Sequence, residues 1–265
     1  MDSIALGRYL PLDSFMHKID PRAKIITMIL IMIAIFIPSG FIGYVLISFV
    51  ILLSVCSSKL NLKFIWRSVK PMLFMMSFLL VINILMVRTG EVLVIIGGYK
   101  IYKAAIYQTL YIAIRLILMI VITTILTATT KPFDLTLGIE DLLEPLKVFK
   151  VPAHDIAMMI SIALRFIPTL IEETQRIMKA QASRGVDLEN GKLSEKVKAI
   201  LSLIVPLFAS AFQKAEELAY AMDARGYVPG RTRTRYKQLE MKTMDYLVVG
   251  IGCIVLVSTI ILWIL

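Results

Sequence analysis

The chain has 265 residues, 58% of them hydrophobic and 18% charged, with a net charge of +10 and a mean hydropathy of +0.81. Soluble domains are about half apolar and about a quarter charged, so this composition excludes a water-soluble globule, and it is too apolar for a disordered chain. Cys56 and Cys253 both sit inside apolar runs, which excludes a disulfide scaffold and a cysteine-built metal site.

Residues 1–24 contain Asp2, Asp13 and Asp20 with no apolar core before Asp20, and do not read as a cleavable signal peptide. From Ile25 to Ser58 no residue is charged, a run of 34. A spanning helix needs roughly 20 apolar residues, with about 17 tolerated. Pro38-Ser39-Gly40 is turn punctuation, so the run predicts two short spans, 23–37 and 41–57, in a tight helical hairpin. A third span is expected over 71–87 and a fourth over 104–130, where Arg115 is the lone charge. Between them, two β-rich runs flank Gly97-Gly98, the signal of a hairpin, read as a small external cap. The fifth span lies in 244–265, uncharged from Tyr246 to Leu265.

The basic residues sort by side. Residues 1–24 hold four Lys/Arg, residues 57–70 four and residues 129–244 seventeen; the turn at 38–40 holds none and residues 88–103 hold three. Lys/Arg excess marks the cytoplasmic face, which places the N-terminus and residues 129–244 inside and the C-terminus outside. The positive charge is therefore mainly topology, and nucleic acid is not an expected partner.

Residues 131–243 mix seventeen basic and fourteen acidic side chains with apolar stripes. Phe133–Phe149 reads as a short amphipathic helix with Leu135, Ile139, Leu142, Leu143 and Leu146 at helical spacing and Pro145 near its end. After Pro152, His154-Asp155 opens a long helix towards Gly185, and Ser194 opens another that continues to Gly226. The uncharged windows Ile156–Leu164 and Ala199–Gln213 are shorter than a span, and Pro168 and Pro206 are expected to interrupt the helices. Both helices are placed at the cytoplasmic interface, with re-entrant segments as the alternative. Ala211, Ala215 and Ala219, with Ala180 and Ala182, predict a close contact between the two. The expectation is an all-α integral membrane protein of about five spans, with a cytoplasmic coupling region (131–243) of three helices, two of them long and crossed.

The long helices form an internal repeat. Leu164-Arg165-Phe166-Ile167-Pro168 precedes Ala182-Ser183-Arg184-Gly185, and Leu203-Ile204-Val205-Pro206 precedes Asp223-Ala224-Arg225-Gly226. Each has a proline in its apolar part and an Arg-Gly at its polar end. Two readings of these ends stand side by side. Glycine caps helix C-termini and arginine suits the negative end of the helix dipole. Alternatively, two exposed guanidinium forks suit acidic or carbonyl-lined pockets on partner proteins.

Other features carry less chemistry. His17 and His154 lack ligand spacing, so no metal site is expected. Arg115 marks either a polar path or a structural pairing. Glu172-Glu173 and Glu216-Glu217 read as solvated faces, and Arg231, Arg233, Arg235 and Lys237 as an anchor to anionic lipid. There is no Gly-x-x-x-x-Gly-Lys-Ser/Thr loop, Gly-x-Ser-x-Gly elbow or His-Glu-x-x-His helix, so no catalytic residues are assigned. A membrane enzyme on lipid or isoprenoid substrates would have to use Asp134, Glu140, Asp141 and Glu144; a stand-alone secondary transporter is the remaining alternative.

The N-terminal run Pro11-Leu12-Asp13-Ser14-Phe15-Met16-His17-Lys18-Ile19-Asp20-Pro21-Arg22-Ala23-Lys24, with Leu164–Pro168 and the two Arg-Gly ends, resembles the transmembrane coupling subunit, or T component, of energy-coupling-factor vitamin transporters. The first tip has Ser183 where that family's motif has alanine. The resemblance implies a non-catalytic subunit in complex with two cytoplasmic ATP-binding-cassette ATPases and one or several small membrane-embedded substrate-binding subunits. ATP and Mg would be used by those ATPases, with no cofactor bound by this chain. It further implies that Ala182, Ser183, Arg184 and Gly185, and Asp223, Ala224, Arg225 and Gly226, dock on the ATPases, one tip each. Arg165, Pro168 and Pro206 would serve as hinge or contact to the substrate-binding subunit.

Overall fold

The computed structural model describes residues 9–96, 99–145, 153–186, 193–228 and 239–265. The Gly97-Gly98 turn, the lipid-anchor row Arg231, Arg233, Arg235 and Lys237, and Leu146, Phe149 and Pro152 lie outside them. The chain forms two compact units, one of residues 7–142 with 239–265 and one built on residues 143–238.

The first unit opens with α1 (Phe15–Lys18) and α2 (Pro21–Phe36). Asp20 caps α2 by accepting the Arg22 backbone N–H at 2.8 Å, and Pro21 fills the first helical position, where a missing N–H costs nothing. The chain turns through Pro38 and Ser39 into α3 (Gly40–Ser58). Asn61 then caps α4 (Leu62–Met86), which runs through Pro71 without breaking. Strands β1 (Val92–Ile96) and β2 (Tyr99–Tyr102) pair antiparallel, Val92 opposite Tyr102 and Ile96 opposite Tyr99. Helices α5 (Lys103–Thr129), α6 (Pro132–Leu143) and, after the second unit, α9 (Thr243–Ile264) complete the unit.

Its core is Ile31 and Ile35 of α2, Ile47 and Ile51 of α3, Leu118, Ile122 and Ile125 of α5, and Val255 of α9. Helix α9 lies close against α2: a Cβ on Gly252 would come within 3.2 Å of the Thr27 methyl. Elsewhere the apolar side chains point outward, Phe74 of α4 being 82% exposed, as lipid-facing helices require.

Among the described residues, α3, α4, α5 and α9 are long and apolar enough to cross a membrane. The expected first span is shorter than these. Helix α2 has 16 residues, which rise about 24 Å against a hydrocarbon core of about 30 Å. Helix α6, grouped with the coupling region on composition, packs in the first unit as far as Leu142. There Gly138 lets it approach α2, since a Cβ would stand 3.1 Å from that of Pro21. The α-helix ends at Leu143 and tightens into a 3₁₀ turn at Glu144 and Pro145.

The second unit is built on α7 (Ala153–Ser183) and α8 (Leu193–Ala224), which contact each other. Both run unbroken past Pro168 and Pro206, contrary to the expected interruptions.

Candidate functional site

The two long helices end in the same backbone geometry. At the end of α7, the Gly185 N–H donates to the Ala182 carbonyl at 2.9 Å and the Val186 N–H to the Gln181 carbonyl at 3.0 Å. At the end of α8, the Gly226 N–H donates to Asp223 at 2.9 Å and the Tyr227 N–H to Met222 at 3.0 Å. These are paired Schellman closures, and each needs a residue in the left-handed region. Gly185 (φ +84°) and Gly226 (φ +71°) supply it. The glycine half of the capping interpretation is therefore what the structure contains.

The arginines are the part that capping leaves over. Arg184 and Arg225 are exposed, and among the described residues no hydrogen bond or ion pair holds either guanidinium. The rest of each tip, Ala182, Ser183 and Gly185 in one and Asp223, Ala224 and Gly226 in the other, is exposed as well. The Ser183 hydroxyl donates back to the Lys179 carbonyl at 3.0 Å, so serine in place of alanine leaves the tip's outline unchanged.

The tips form two separate sites. The Gln181 side-chain amide donates to the Ser202 carbonyl at 3.3 Å, which puts the end of α7 against the first third of α8. From Ser202 to Arg225 a straight helix rises about 35 Å. Sequence reasoning missed the Gln181 contact, yet its cause is local. Ser202 lies four residues before Pro206, which has no N–H to give that carbonyl, and Gln181 supplies one from the neighbouring helix. The carbonyl that Pro206 frees is thus satisfied from outside the helix, with Pro206 itself half-buried.

Of the alanines expected at the contact, Ala211 is half-buried and the other four are turned outward. Ala180, Ala182, Ala215 and Ala219 are exposed, whereas Ala199, beside Ser202, is 5% exposed. The helices meet locally, so a row of small residues along their length finds no partner there. Arg165 and Pro168 are exposed on α7, and α8 carries a bare apolar face that includes Ile204, Val205, Phe208 and Phe212.

The remaining candidates are engaged within the first unit. Arg115 donates to the Tyr44 hydroxyl from Nε (3.2 Å) and Nη2 (3.0 Å) and lies 5.6 Å from the Phe36 ring centre. The Tyr44 hydroxyl donates on to the Ile35 carbonyl at 3.3 Å, so Arg115 ties α5 to the α2–α3 turn. Asp141 pairs with Arg22, and Glu140 is buried. His17 is bonded to Ser14 and to the Leu10 carbonyl.

Four helices fit to cross a membrane, joined in one chain to two long amphipathic helices with matching arginine ends, define a multi-pass membrane protein with a polar two-helix arm. A family model described as CbiQ, cobalt transport protein, matches residues 13–236. The energy-coupling factor transporter transmembrane protein EcfT of Bacillus subtilis (strain 168) is 45% identical over 239 residues, 90% of each chain. Its namesake in Ruminiclostridium cellulolyticum is 46% identical over 248 residues, covering 94% of this chain and 92% of its own. That of Lactococcus lactis subsp. cremoris is 39% identical over 263 residues, 99% and 98% of the two chains. The chain belongs to this family, the transmembrane components of energy-coupling factor transporters.

Proposed function

We propose that this chain converts the movements of two ATP-binding-cassette ATPases into movement of a membrane-embedded substrate-binding subunit. Arg184 and Arg225 are the ATPase anchors. The observation that carries this is the match between the tips: two helix ends with one hydrogen-bond pattern, each presenting an exposed guanidinium. Like tips suit two like grooves, and arginine is a favoured hot-spot residue because its fork engages carboxylates or carbonyls in a fixed plane. Ala182, Ser183 and Gly185, and Asp223, Ala224 and Gly226, keep the approach to each arginine narrow. ATP and Mg belong to the ATPases, and this chain holds no cofactor.

The apolar face of α8, with Arg165 and Pro168 on α7, is assigned to the substrate-binding subunit and the bilayer. The Gln181–Ser202 contact, one turn before Pro206, couples the two helices. The Lys/Arg distribution supports an orientation with the N-terminus and the arm in the cytoplasm and the C-terminus outside. Substrate is read by the partner subunit, whether vitamin or metal.

The test is the double variant Arg184→Glu, Arg225→Glu. Affinity purification from membranes should recover both ATPases with the wild-type chain and neither with the variant. Full recovery together with undiminished ATP-driven uptake would sink the anchor assignment.

A further inference from the structure

The chain leaves the first unit after Leu142 and re-enters it at Leu239. One side chain holds it at both places. Arg22, in the first turn of α2, faces Asp141 with Nη1 at 3.5 Å, one residue before the chain departs. Its Nη2 donates to the Leu239 carbonyl at 2.8 Å, where the chain returns. Nε and Nη2 also meet the two carboxylate oxygens of Asp20 at 3.2 Å. Asp20 is 7% exposed and accepts the Arg22 backbone N–H as well, so the guanidinium is held from behind.

The return side has a second fastening. Asp245, 2% exposed, accepts the Lys242 backbone N–H at 2.7 Å through one oxygen and the Asp20 backbone N–H at 2.9 Å through the other. The outgoing and incoming connections are thereby bound to the same turn of α2. Arginine suits this better than lysine, because its planar fork offers five donors spread over three nitrogens and reaches Asp20, Asp141 and the Leu239 carbonyl at once, whereas an ammonium is a point charge.

We propose that Arg22 is a positioning residue for energy coupling, clamping both connections of the two-helix arm to α2. A lever delivers movement only if its base is fixed, and slack at residues 141–143 or 239–242 would absorb the motion that the tips receive. This rests on the coupling function proposed above.

A role confined to fold stability is distinguishable, because α2 offers a matched control. Lys24, buried where Arg22 is half-buried, donates from Nζ to the Thr129 carbonyl at 3.0 Å and the Thr130 hydroxyl at 3.2 Å. Its hydrogen bonds hold the α5–α6 junction and reach neither connection of the arm. Loss of Lys24 should weaken the fold and leave coupling intact.

The experiment reconstitutes the complete transporter, with both ATPases and its substrate-binding subunit, in liposomes and measures ATP hydrolysed per substrate imported. Arg22→Ala should keep the ATPases bound and raise that ratio well above the wild-type value. Arg22→Lys should recover part of the loss, and Asp141→Asn, which loosens the outgoing connection alone, should raise the ratio less. Lys24→Gln should lower the melting temperature at a wild-type ratio. An assembled Arg22→Ala transporter with the wild-type ratio overturns the clamp, as does a Lys24→Gln ratio equal to that of Arg22→Ala. Should Arg22→Ala not accumulate, wild-type ratios in both Arg22→Lys and Asp141→Asn overturn it. A wild-type chain that captures no ATPase overturns the coupling function itself.

Discussion

The polar end of the membrane unit and the tips of the two-helix arm both carry arginine, and they use it in opposite ways. Arg22 meets Asp20, Asp141 and the Leu239 carbonyl, with its side chain 21% exposed. Arg184 and Arg225 stand exposed at helix ends whose backbone bonds are already complete. Where the partners are internal, arginine fixes geometry. Where the backbone has closed without it, the guanidinium stands exposed with no hydrogen bond or ion pair among the described residues, which is what the proposed anchoring requires. A buried charge that loses its partner is strongly destabilising, whereas an exposed one contributes almost nothing to the fold. The comparison therefore separates residues that hold the chain from residues that present it.

The largest effect is expected at the membrane end. Asp245→Ala orphans the Asp20 and Lys242 backbone N–H groups at a site where the carboxylate is 2% exposed. The Asp20 orphan is buried and costs about 1–3 kcal/mol, while Lys242 is exposed and its N–H loses only a cap, about 1 kcal/mol, so the variant should lose about 3 kcal/mol. Thermal unfolding of the purified chain in detergent measures it. Asp245→Asn keeps one carbonyl oxygen and should lose less. If Asp245→Ala melts with the wild type, the internal half of the comparison fails.

A smaller and local effect is expected at the glycines. In Gly185→Ala and Gly226→Ala the new Cβ meets no atom within 4 Å, so the cost is the left-handed backbone alone, about 1–2 kcal/mol. The Val186 and Tyr227 amides, which close the two ends, should lose roughly tenfold of their hydrogen-exchange protection. Asparagine, which tolerates the left-handed region better, should lose less at both positions. Unchanged protection in the alanine variants would show that the glycines are not what closes the tips.

What was legible in the sequence was local. The two Arg-Gly ends, the turn at Pro38-Ser39 and the hairpin around Gly97-Gly98 are each specified by neighbouring residues, and helices and strands are found on either side of them. What was hidden depends on residues far apart. Pro168 and Pro206 read as interruptions because a proline removes a backbone bond; at Pro206 the freed carbonyl is met by Gln181 from another helix, 21 positions away. Asp20 and Asp245 are separated by 225 positions, so no spacing rule joins them. Asp141 looked like part of an acidic surface group because its counter-charge, Arg22, lies at the other end of the membrane unit's sequence. The alanine row failed as a contact signal for a related reason. Small residues permit close approach, but the crossing point of two helices is set by where their larger side chains and carbonyls find partners.

The smallest effect is the sharpest test of the contrast between the two regions. Arg184→Ala and Arg225→Ala remove side chains with no hydrogen bond or ion pair among the described residues, from helix ends closed by backbone bonds. What remains is a favourable arginine at the negative end of each helix dipole, an exposed interaction screened by salt. Surface substitutions of this kind stay within about 0.5 kcal/mol. The isolated chain carrying both changes should therefore melt with the wild type, even though the proposed anchoring to the ATPases predicts that their capture is lost. A melting temperature that fell as far as that of Asp245→Ala would mean that the tips hold the arm together rather than present it. The guanidinium groups would then have internal partners, and the distinction between bound and presented arginines would collapse.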